Sequence, residues 1–199
     1  MSVAVATPAG RSSVTADDNP FFEVVFGKRV EMTPMSFHAT KLAFRIAHKI
    51  ATFLEDHHLG ETVTETLFRL PLEVDPFRNR RPDAAFVSYE RWPQGSPEPY
   101  RDNAWDVVPD LAIEVVSPSD RVNDLMDKLA EYFEVDVRTV WVVHPRQRLV
   151  YVYDSLHSAR GFGIDDTLDG GRVLPGFSLP LKQIFVAETI DDRERVSDE

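Results

Sequence analysis

The sequence predicts one domain of the α/β class, of the α+β type, with helices packed on a mixed central sheet. Several short segments alternate apolar and polar residues at period two, and two longer ones repeat apolar residues at three- and four-residue steps. Their order is strand pair, helix, several strands, helix, strand pair, which is not the regular alternation of a doubly wound fold. With 199 residues, 43% of them hydrophobic, the chain is long enough to bury a full core.

Residues 1–18 are small and polar and read as a disordered tail, residues 19–188 as the domain, and residues 189–199 as an acidic tail. FFEVVFGKRVEM, residues 21–32, alternates around Gly27-Lys28 and predicts a hairpin. Ser36 is then placed to cap a helix on which Leu42, Ala43, Ile46, Ala47, Ile50, Phe53 and Leu54 form one apolar stripe, ending near Gly60. TETLFRLPLEV alternates through Phe68, Leu70, Leu72 and Val74 and reads as a strand with one wet face. A basic loop of Arg78, Arg80 and Arg81 leads into a short buried strand from Ala84 to Ser88, and a loop rich in Pro, Gly and Ser follows at residues 93–99. VVPDLAIEVVS is the most apolar run and predicts a central strand covered on both faces. Ser117-Pro118-Ser119-Asp120 is helix-start chemistry for a second helix through about residue 135, with Leu125, Leu129, Tyr132 and Phe133 on its apolar face. RTVWVVHP and RLVYVYD form a hairpin around Arg146-Gln147, and GGRVLPGFSLPL with LKQIF closes the domain.

Composition removes several function classes. The chain has no cysteine, so disulfides, thiolate zinc sites and cysteine nucleophiles are excluded, and its six histidines are too scattered to suggest a zinc cluster. There is no nucleophile elbow and no phosphate-cradling glycine loop. Residues 1–19 hold no long apolar run, so neither a signal peptide nor a membrane anchor is expected, and a cytoplasmic setting fits. The formal charge of −11 weighs against nonspecific nucleic-acid binding, although acidic residues crowd the two ends of the chain.

Glu114 stands in the middle of Leu111-Ala112-Ile113-Glu114-Val115-Val116, where a carboxylate must be paired, protonated or bound to a cation; otherwise this is an edge position facing water. Asp83 follows Pro82 at the start of another buried strand, either as a site residue or as a turn aspartate. Lys128 interrupts the apolar face of the second helix, three residues after Leu125 and four before Tyr132. Its stem therefore points toward the sheet, where it either meets carboxylates or snorkels to the surface. Two carboxylates on adjacent strands beside one lysine suit metal-assisted hydrolysis, the oxygens taking a hard cation and the lysine acting on phosphate charge.

Four blocks, GKRVEMTPMSFH, RRPDAAFVS, VPDLAIEVVSPSDRVNDLMDKLAEYF and RTVWVVHPRQRLVYVY with LPGFSL, resemble the Uma-type family of restriction endonucleases, a branch of the PD-(D/E)xK nuclease superfamily, over about residues 21–186. The resemblance implies a restriction-endonuclease-like core. It matches Asp83 to the aspartate of the PD element and Glu114 to the second acidic residue, with the backbone carbonyl of Val115 as a further metal ligand. Val116 stands where the usual lysine would be, and the resemblance implies that Lys128 on the helix takes its role. It also draws in Glu31 as a ligand and His38 as an accessory residue, though Glu31 also reads as a surface carboxylate and His38 as a packed residue. Two departures stand out. Val135-Asp136 replaces the small residue and glycine that end this helix in the family, and His144 replaces an acidic residue before Pro145.

The expected function is a DNA endonuclease using Mg2+ or Mn2+, with Arg78, Arg80 and Arg81 contacting phosphate and a homodimer supplying two sites for two strands. The alternative is a noncatalytic module that retains the nuclease fold.

Overall fold

The computed structural model describes residues 21–32, 35–97, 104–118 and 120–186. Both proposed tails lie outside the described residues. Among those residues the elements are strands β1 (Phe22–Val25) and β2 (Lys28–Glu31), helix α1 (Phe37–His57), strands β3 (Gly60–Thr64), β4 (Phe68–Leu70), β5 (Arg78–Arg80), β6 (Ala84–Ser88) and β7 (Leu111–Val115), helix α2 (Val122–Glu134), and strands β8 (Thr139–His144), β9 (Leu149–Ser155), β10 (Ser158–Phe162), β11 (Thr167–Asp169) and β12 (Ser178–Pro180).

The central sheet has the order β10-β9-β8-β7-β6-β3, and β11 with β12 makes a separate ribbon. Among the described residues its only parallel pair is β7 with β8, whose connection is α2, so the sheet is mixed. Strand alternation then assigns the two faces. Leu111, Ile113 and Val115 of β7, with Trp141 and Val143 of β8, join the apolar stripe of α1. Ala112, Val140 and Val142 face the other way, onto Leu129 and Tyr132 of α2. The central strand is thus covered on both sides. Glu114 follows Ala112 at the strand period and must point to the α2 face.

A second sheet, ordered β2-β1-β5-β4, stands beside α2. The β1–β2 hairpin turns at Phe26-Gly27, both with positive φ (49° and 68°), the two-residue geometry whose twist suits a hairpin. The expected strand through residue 74 stops at Leu70, because Pro71 cannot donate to the ladder; Leu72 is still buried, but Val74 is 73% exposed. The expected basic loop is in fact strand β5, paired to β1 and β4. Strand β10 pairs along β9 through a segment without an alternating pattern, five residues of which none is buried.

Capping explains the helix limits. Ser36 accepts from the Ala39 amide at 3.2 Å and His58 closes α1 in the left-handed region, as the helix signals predict. Helix α2 starts later than expected, at Val122 after Arg121, while Asp120 instead accepts from the Ser117 amide at 2.7 Å in a preceding turn. Beyond its C-terminus Asp136 adopts φ 69°, the conformation a glycine would take there, and Arg91 clamps both its carbonyl and its carboxylate at 2.6 and 2.8 Å. His144 is half-buried, with its ring edge-on to Tyr151.

Candidate active site

The antiparallel register that sets Ala84 opposite Ile113 brings Asp83 beside Glu114 across β6 and β7. Both side chains project to the α2 face, and both are buried, at 9% and 6% exposure. Helix α2 returns over this end of the strands. Lys128 Nζ lies 3.2 Å from Glu114 Oε2, and one turn further on the Tyr132 hydroxyl donates to Glu114 Oε1 at 2.7 Å. Asp83 Oδ2 accepts from the Val115 amide at 2.5 Å, which ties the first carboxylate to the strand that carries the second. The three residues singled out from the sequence are therefore brought together.

Asp83, Glu114 and Lys128 line a cleft of about 790 Å3 between the β1–β2 hairpin, the ends of β6 and β7, and α2. Glu31 lines it from the end of β2, and Val115 from the end of β7. His38 is exposed on the first turn of α1, so it is not a packed residue, and it is not among the residues lining this cleft. Arg78 and Arg80 reach the cleft but carry their charge into internal ion pairs. Arg78 pairs with Asp75 at 3.1 Å and Glu131 at 3.5 Å, and Arg80 with Glu23 at 2.5 Å and Glu131 at 2.6 Å. Arg81 donates to the backbone carbonyl of Glu65.

The electrostatics follow from burial among like and unlike charges. Burial, and next the adjacent Glu114 charge, push the Asp83 carboxyl well above the usual aspartate range, against the Val115 amide and Lys128. Burial alone would depress Lys128, but Glu114, Glu23 and Asp83 together outweigh it and raise the ammonium above the ordinary lysine value. Burial and then Glu114 push the Tyr132 hydroxyl well above the normal phenol range, so it remains a donor.

Among the described residues no three acidic or imidazole side chains gather as a metal cluster. The donor set is the Asp83 and Glu114 pair, all hard oxygen, and it fits a divalent cation: two buried carboxylates repel one another, and a cation between them would relieve that repulsion and the desolvation of both.

Sequence reasoning passed over Glu23, Tyr132 as a polar group, and Glu131. Glu23 had a signal. It is a carboxylate between Phe22 and Val24 in an apolar strand, the same pattern that singled out Glu114. Tyr132 reads from sequence only as a ring on the apolar face, since nothing local shows that its hydroxyl finds a carboxylate 18 residues back.

A crystal structure described as a putative nuclease belonging to DUF820 from Anabaena variabilis ATCC 29413 superposes with a TM-score of 0.70 at 16% identity, covering 83% of this chain and 90% of that one. At this identity the likeness shows the fold. No curated protein matches the chain. No helix among the described residues is long and apolar enough to cross a membrane. Residues 13–182 match the family described as Uma2, "Putative restriction endonuclease", and the chain belongs to that family.

Proposed function

We propose that the protein is a divalent-metal-dependent endonuclease that hydrolyses phosphodiester bonds of DNA. The observation that carries this is the convergence of Asp83, Glu114 and Lys128 at one end of the cleft, two carboxylates with an ammonium 3.2 Å from one of them. Family membership supports the same reading.

Asp83 and Glu114 would hold Mg2+ or Mn2+, with the Val115 carbonyl and Glu31 as further oxygens. When bound, the cation supplies a Lewis acid for the phosphoryl oxygens and lowers the pKa of a coordinated water. Lys128 offers its ammonium to the negative charge that builds on the phosphate, and Tyr132 keeps Glu114 in one orientation. The cleft is also lined by Asp120, Asp124 and Asp127, so without a cation its walls repel a phosphodiester. Contact of Arg78 or Arg80 with phosphate would have to compete with Glu23, Asp75 and Glu131. A homodimer would present two such clefts to the two strands of a duplex.

A plasmid-nicking assay with and without Mg2+ or Mn2+ tests the reading. Nicking that requires the metal and is lost in Glu114→Gln is the expected result; metal-independent or absent nicking by the wild type would overturn it.

A further inference from the structure

Glu23 lies on β1 with its side chain on the face opposite those of Phe22 and Val24, toward α2, and is 5% exposed. Three groups of the chain hold it. Arg80 Nη1 reaches Oε2 at 2.5 Å, the Arg81 amide donates to Oε1 at 3.2 Å, and Lys128 Nζ lies 3.4 Å from Oε1. Arg80 at the same time makes a fork to Glu131, at 2.6 and 2.9 Å. Glu131 is three residues beyond Lys128, on the same face of the helix. Glu23 thus grips α2 twice, directly at Lys128 and through Arg80 at Glu131.

We propose that Glu23 is the positioning residue that holds the Lys128 ammonium over the Asp83–Glu114 pair, which rests on the nuclease reading above. Lys128 is shared between two carboxylates at similar distance, 3.2 Å for Glu114 and 3.4 Å for Glu23. Glu114 cannot serve both a cation and the ammonium at full strength. Glu23 faces no such competition from the cation, because Arg80 and the Arg81 amide already bond its oxygens. These same bonds make it a poor metal ligand. Burial works against its charge, but Lys128 and Arg80 outweigh burial and keep its carboxyl below the usual glutamate range. A lysine held at one end only has a flexible four-carbon stem, and small misplacements of a group acting on transition-state charge are costly in rate.

The test compares wild type, Glu23→Gln, Glu23→Asp, Lys128→Ala and the Glu23→Gln/Lys128→Ala double variant by plasmid-cleavage kinetics and Mn2+ calorimetry. Glu23→Gln is expected to lose about tenfold or more in kcat, with KM and Mn2+ affinity unchanged within about twofold. Glu23→Asp, which keeps the charge, is expected to recover part of the loss, and it serves where the glutamine variant does not fold. In the Lys128→Ala background the Glu23 change should cost nothing further, because its effect passes through Lys128. An additive loss there, or a fall in Mn2+ affinity of about tenfold, overturns the proposal and makes Glu23 structural or a ligand. If the wild type does not cleave at all, the nuclease reading fails and positioning is still decided by another readout, the rate at which an amine-acylating reagent modifies Lys128 at one fixed pH in Mg2+, followed by mass spectrometry. Faster modification in either Glu23 variant supports the hold; equal rates overturn it.

Discussion

The hydroxyl of Tyr132 donates to Glu114 Oε1 at 2.7 Å, with both groups buried between β7 and α2. This bond occupies one lone-pair region of the carboxylate and points the rest of Glu114 toward Lys128 and the cleft. Tyr132→Phe removes the donor and leaves a buried acceptor short of one bond. The expected cost is about 1–3 kcal/mol in urea unfolding. Mn2+ affinity should also weaken, because Glu114 is then free to turn; an unchanged affinity with a stable fold would show that the tyrosine only packs.

Lys128→Ala is expected to keep metal binding and lose cleavage by about a hundredfold or more, as for a group that acts on charge in the transition state. Its removal also leaves Glu114 and Glu23 without a shared cation. If the ammonium were only half of a structural ion pair, the variant would instead lose about 3–5 kcal/mol of stability with no selective effect on turnover. Thermal melts beside single-turnover cleavage separate the two.

Asp83 gives a pH prediction of definite sign. Its folded-state pKa lies above its unfolded value, through burial and then the Glu114 charge. Its contribution to stability is therefore full below the ordinary aspartate range and is lost as pH rises through the raised value. Metal-free protein should lose stability from this group as pH rises above the ordinary aspartate range of about 4, and Asp83→Asn should flatten that slope. Melts in EDTA across this range check it, and a slope unchanged by the substitution would contradict it.

Gly60 opens β3 against β6, and a Cβ there would meet the Val87 carbonyl oxygen at 2.1 Å and the Ser88 Cα at 2.7 Å. Both are backbone atoms of the neighbouring strand and cannot swing aside. Gly60→Ala should destabilise the domain by about 1–3 kcal/mol, measured by denaturant unfolding.

The parts of this fold that were legible in the sequence are those governed by local periodicity and capping. The α1 stripe, the Ser36 cap and the β7 run follow from residue spacing, and so does the inward aim of Lys128, whose neighbours Leu125 and Tyr132 already mark the helix face. Glu114 was visible because a charge inside an apolar strand demands a partner. The remainder depends on contacts remote in sequence. Arg80 reads as part of a basic loop because its partners Glu23 and Glu131 are contributed by β1 and α2, 57 and 51 residues away. His38 lies four residues before Leu42 and so reads as part of the stripe, yet it is exposed, and the buried face of α1 begins one residue later at Ala39. Strand β10 pairs along β9 with no fully buried side chain to leave a pattern, only Phe162 at its end packing against the core.

The central claim is that Asp83 and Glu114 form one cation site, and calorimetric titration of Mn2+ into wild type and Glu114→Gln tests it most directly. The amide keeps the shape of the side chain and its acceptor for Tyr132, and Lys128 retains Glu23 at 3.4 Å, so the variant should remain folded. Wild type should bind the ion and the variant should not, because a neutral amide loses the ligand charge. Equal Mn2+ affinity in a well-folded Glu114→Gln protein would contradict the account.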